Sequence, residues 1–97
     1  MEKPLFVTAL EKNAPELLPK LQENLQFITT DSALPAKVKL LMAAVVDAIK
    51  AHPEGVKNLI KMAREKGATD EEIQDTLRFI LAMDGLPGFI TGISAYL

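Results

Sequence analysis

The 97-residue chain contains no cysteine, which excludes disulfides, thiolate nucleophiles and thiolate metal sites before any structural argument. Aromatic residues are scarce at 5%, while 48% of the chain is apolar, so the interior has to be filled by aliphatic side chains, as packed helices allow. Basic residues are not in excess. Eleven Lys and Arg stand against thirteen Asp and Glu, a formal charge of −2, and no broad positive field exists to attract phosphate backbones, so nucleic acid is not an expected partner. Long apolar runs are also missing: the run from Leu40 to Val46 is interrupted by Asp47, far short of the roughly 18 residues a membrane helix needs, so no membrane association is expected. The segment from Met1 to Leu10 lacks the charged start, unbroken apolar stretch and cleavage site of a secretory signal, and the expected compartment is the cytoplasm.

What is present reads as one all-α domain over residues 1–97 with about six helices. Leu5, Phe6, Ala9 and Leu10 form a short amphipathic stretch after Pro4, interrupted by Asn13 and Pro15. Leu17, Leu18, Leu21, Leu25 and Ile28 follow at helical spacing, with Pro19 tolerated close to the first turn. After a polar break from Thr29 to Pro35, Val38, Leu41, Met42, Val45, Val46 and Ile49 give the most regular helical stripe in the chain. Ala43, Ala44 and Ala48 widen its apolar arc, and the helix is expected at the centre of the bundle. His52 and Pro53 end it and begin another, with Val56, Leu59, Ile60 and Ala63 facing inward and Gly67 as its left-handed stop. Thr69 to Glu72 matches a capping box for a helix from Asp70 to about Asp84. In that helix Ile73, Leu77, Ile80 and Leu81 form one stripe and Phe79 and Met83 another, so burial on two sides is expected, the second against another subunit. A turn at Gly85 to Gly88 leads to a last helix through Phe89, Ile90, Ile93, Tyr96 and Leu97.

Few residues suggest chemistry. Asp70, Glu71, Glu72 and Asp75 could be taken for a cation site, but carboxylates in a first helical turn are favoured by the helix dipole without any ligand. Lys57, Lys61, Arg64 and Lys66 read as a solvated face and helix end rather than an anion site. His52, the single histidine, sits at a helix start beside Glu54. The ordinary reading is a junction residue; the functional one is a proton-transfer pair, His52 with Glu54, and these two are the candidate catalytic residues. One imidazole leaves a metal to carboxylates alone, and no Gly-rich phosphate loop is present, so neither a metal nor a cofactor is expected.

The run from Leu34 to Gly88 resembles the carboxymuconolactone decarboxylase family, which includes the alkylhydroperoxidase AhpD-like proteins. The residues that carry the resemblance are Leu34-Pro-Ala-Lys-Val-Lys-Leu-Leu41, Ala63 four residues before Gly67, Gly67-Ala-Thr-Asp-Glu-Glu-Ile73, and Gly85-Leu-Pro87. The resemblance implies an AhpD-like orthogonal helical bundle assembled as a homotrimer or homohexamer. It also implies that the redox branch's Cys-x-x-Cys-x-x-x-His places are held here by His52, Gly55 and Leu59. A thiol peroxidase mechanism is therefore not expected. Where the decarboxylase branch often carries polar residues, Phe79 and Met83 stand instead. The resulting expectation is a non-redox member that binds a small molecule or a partner protein near the His52 turn, the alternative being a decarboxylase or isomerase of a small organic acid using His52 and Glu54.

Overall fold

The computed structural model describes residues 3–97; Met1 and Glu2, which open the segment read above as lacking a secretory signal, lie outside the described residues. Six α-helices run in order: α1 (Leu5–Asn13), α2 (Leu18–Thr29), α3 (Ala36–Ile49), α4 (Pro53–Glu65), α5 (Asp70–Asp84) and α6 (Leu86–Gly92). Short 3₁₀ turns at Pro15–Leu17 and Ile93–Tyr96 precede α2 and end the fold, so the last helix tightens before the chain ends. Among the described residues there is no strand, and no helix is long and apolar enough to cross a membrane.

The helix boundaries follow local chemistry. Thr69 and Glu72 close the capping box reciprocally: the Glu72 amide donates to Thr69 Oγ1 at 3.1 Å, and the Thr69 amide donates to Glu72 Oε1 at 2.9 Å. Asp31 caps α3 from five residues upstream, its Oδ1 accepting the Ala36 amide at 2.7 Å. Gly67 ends α4 with φ near +100°, and the Gly67 and Ala68 amides bond the carbonyls of Arg64 and Ala63. That pattern is a Schellman cap. The same cap ends α3, where the Ala51 and His52 amides bond the carbonyls of Ala48 and Asp47, but its left-handed position is held by Ala51 at φ 58°. An alanine thus does a glycine's work at the α3–α4 junction.

The core lies between α3, α4, α5 and α6, with Leu40, Val56, Ile60, Ile73 and Ile80 fully enclosed. α3 occupies the middle, touching α2, α4, α5 and α6. Its buried face, however, is Ala36, Leu40, Ala44 and Ala48 rather than the stripe that dominates the sequence. Met42, Val46 and Ile49 are each about half exposed, at 52%, 50% and 46%. Small residues at four-residue spacing let α4 approach α3 closely, which leaves the larger residues for the outer side. In α5 the first stripe is buried at Ile73, Leu77 and Ile80, whereas Phe79 and Met83 of the second are exposed. Leu81, expected inward, is 39% exposed.

Lys39 is buried with the core. Its Nζ donates to the Phe27 carbonyl at 2.7 Å and to Ser32 Oγ at 2.8 Å, and lies 3.9 Å from the centre of the Phe27 ring. This clamp fastens the C-terminal end of α2 to α3. The rest of the N-terminal region is much less embedded: neither α1 nor α2 has a buried residue, and α1 packs mainly on α2 and the preceding 3₁₀ turn.

Candidate functional site

The α3–α4 junction brings His52 to Asp47, a residue the sequence reading did not single out. The Schellman cap folds the His52 amide back onto the Asp47 carbonyl at 2.9 Å, and the same turn sets His52 Nδ1 3.3 Å from Asp47 Oδ2. Backbone and side chain of His52 therefore both return to Asp47. Glu54 is exposed in the first turn of α4, and no hydrogen bond or ion pair joins it to His52 among the described residues. The His52 side chain is 64% exposed and that of Asp47 27%, so the imidazole faces solvent while its carboxylate partner is partly enclosed.

Gly55 makes that pairing sterically possible. A Cβ at this position would collide with the Asp47 carboxylate and lie 2.5 Å from His52 Nδ1. The carboxylate fills the place of the missing side chain. Leu59, one turn further along α4, is half-buried and packs against the core. The three positions that the resemblance aligns with thiol and proton carrier thus form a solvent-facing imidazole, a gap filled by Asp47 and a packing leucine. None of them can form a disulfide.

The other charged groups have local explanations. Asp70 pairs with Arg64 across the α4–α5 turn. Glu72, besides capping α5, accepts an ion pair from Lys37 of α3 at 2.9 Å. The Thr69 amide, and after it Lys37, hold its carboxyl below the usual carboxylate range. Lys57, Lys61, Arg64 and Lys66 are exposed. No group of three or more His, Asp or Glu side chains among the described residues is placed to hold a metal ion.

A concavity lies elsewhere, on the outer side of α3 and α5. It is an open groove of about 860 Å³, floored by Val38, Met42 and Val46 of α3 and walled by Asp75, Phe79 and Ala82 of α5. Five residues of the regular α3 stripe, Val38, Leu41, Met42, Val45 and Val46, thus line a surface groove together with Phe79 of α5, although Leu41 and Val45 also pack against the core. A signal for this was available: α3 is apolar on nearly all sides, and a helix of that kind needs partners on more than one face.

An all-helical bundle of this topology, with a Schellman-capped junction where the redox branch places its thiols, is an AhpD-like fold. The chain belongs to the carboxymuconolactone decarboxylase family, whose sequence profile matches residues 15–95. A crystal structure of a Burkholderia xenovorans LB400 protein named for carboxymuconolactone decarboxylase superimposes with a TM-score of 0.82 at 26% identity, covering 96% of this chain and 74% of that one. An uncharacterized protein of Methanocaldococcus jannaschii is 30% identical over 91 residues, which are 94% of this chain and 85% of the relative.

Proposed function

We propose that this chain is a non-redox member of its family, a homo-oligomer that binds a small molecule near the α3–α4 junction and associates through the α3–α5 groove. The observation that carries this reading is the groove itself, whose Val46 end directly precedes Asp47 and the His52 turn. Exposed area supports self-association. The chain exposes 6859 Å², whereas a folded monomer of this mass exposes roughly 5,500 Å². The difference, about 1,400 Å² on one chain, exceeds the roughly 800 Å² per partner that a standard-sized interface buries.

Light scattering at micromolar concentration tests the reading. The expected mass is that of a trimer or hexamer, falling to the 10.6 kDa monomer in Phe79→Glu. A monomeric parent protein sinks the proposal.

A second reading, a decarboxylase or isomerase acting on a small organic acid through His52 and Glu54, gains support from the Asp47 contact. A carboxylate on Nδ1 favours the tautomer that leaves Nε2 free to accept a proton. Turnover of a lactone acid that vanishes in His52→Ala and survives in Lys57→Ala is the expected result. No turnover across a panel of such acids counts against it.

A further inference from the structure

We infer that the occupant of the α3–α5 groove is the N-terminal arm of a second copy of this chain, with α1 lying along the groove between the two helices. The inference rests on the self-association reading above and adds what fills the groove. Its starting point is that residues 5–25 form an arm rather than a part of the core. The radius of gyration is 14.4 Å with a longest extent of 40 Å, against about 13 Å for a compact domain of 100 residues. Only the far end of α2 is fastened, by the Lys39 clamp and by Ile28, which packs on the core.

An arm of this kind needs a partner. α1 has nine residues, no side-chain cap and no buried residue, and isolated helices shorter than about 12–15 residues are marginal in water. Leu5 and Phe6 of α1 are 89% and 61% exposed, and Leu17 of the following 3₁₀ turn is 46% exposed. Such a surface on a short helix is a docking face waiting for an apolar seat.

The groove supplies a seat of matching length. α1 has nine residues and the groove floor from Val38 to Val46 spans the same number of helical positions, about 13 Å each at a rise of roughly 1.5 Å per residue. A helix laid between two helices is a common way of filling such a trough. The arm makes no substantial contact with α3 or α5 of its own chain apart from the anchored end of α2. The seat is therefore filled from a neighbour.

The absence of cysteine makes the test direct, because an introduced thiol is the only one in its chain. Ala9→Cys, in the middle of α1, is mixed with an affinity-tagged chain carrying Thr76→Cys or Ala82→Cys, which lie toward the two ends of the α5 wall. Mild oxidation is expected to give a mixed disulfide, identified by mass, with at least one of the two. An oligomeric parent protein that gives no mixed cross-link overturns the arm assignment alone, and Ala82→Cys linking to itself instead would mean that groove packs on groove. A monomeric parent protein overturns the self-association reading as well. As a second readout, Phe6→Glu is expected to reduce the assembly to monomer at micromolar concentration while Leu97→Glu, a similarly exposed apolar position at the chain end, leaves its mass unchanged. Retention of the full mass in Phe6→Glu also overturns the proposal.

Discussion

Ala51 and Gly67 hold the same position in two Schellman caps of one chain, and exchanging their residue types should move stability in opposite directions. A non-glycine residue in the left-handed region carries a cost of roughly 1–2 kcal/mol. Replacing Ala51 by glycine removes that cost but restores unfolded-chain freedom of about 0.4–1 kcal/mol. The net expectation is a gain of about 1 kcal/mol, and Ala51 is exposed, so no buried packing is lost. For a domain of this size the gain corresponds to a rise of roughly 4–8 °C in Tm. Gly67→Ala should lose at least as much, because its φ of +100° is further from the alanine minimum than the 58° of Ala51. No atom lies within 4 Å of a Cβ added at Gly67, so the loss is conformational and not steric. Urea unfolding of both variants at one protomer concentration, with unchanged slope, measures the pair. If Ala51→Gly proved neutral or destabilising, the account of the α3–α4 junction as a strained cap would be wrong.

Three further outcomes follow from side-chain chemistry. Lys39→Met keeps the apolar stem but removes both donors from the Phe27 carbonyl and Ser32, and should cost about 1–3 kcal/mol in urea unfolding. Glu72 has a depressed carboxyl, so its contribution is present above the unfolded value near 4.5 and is lost as pH falls through the lower folded value. Stability curves of the parent protein and Glu72→Gln should therefore converge on acidification through that window, and parallel curves would refute the linkage. Gly55→Ala should leave stability nearly unchanged, since alanine's better helix propensity offsets the displacement of a flexible carboxylate. It should nevertheless shift the His52 ring-proton NMR signals at fixed pH, because the added Cβ expels Asp47 from its place beside Nδ1.

Much of the helical frame was legible because its punctuation is chemical: Thr69 and Glu72 can be read as a capping box, Gly67 as a stop, and Pro19 and Pro53 as first-turn residues. These signals act within a few residues and survive whatever the rest of the chain does. The Asp47 contact was not legible. It depends on Ala51 adopting the left-handed conformation, which brings residues five apart together across a helix end, and alanine gives no hint of that. Lys39 was missed for a related reason: its burial is offset by a backbone carbonyl and a ring from α2, partners that periodicity does not reveal.

The half-exposed side chains of α3 have a quantitative consequence for what the groove can do. Of the groove residues, Met42, Val46 and Phe79 remain about half exposed. Fully burying such side chains yields roughly 1.5–3 kcal/mol each, so completing the burial of all three offers about 2–5 kcal/mol. Association itself costs about 4–15 kcal/mol in lost translational and rotational freedom. The groove surface alone therefore falls at or below break-even, and a small apolar patch meeting it would bind weakly. An occupant that brings its own unburied aliphatic and aromatic side chains roughly doubles the gain, which the arm does through Leu5, Phe6 and Leu17. The same chain thus leaves two surfaces incomplete, one on a short helix that lacks a core and one on a central helix with more apolar faces than its own bundle can cover. If the arm of one copy seats in the groove of another, as inferred above, both surfaces are completed at once, and the exposed Met42 and Val46 of α3 gain a packing role that their own bundle does not give them.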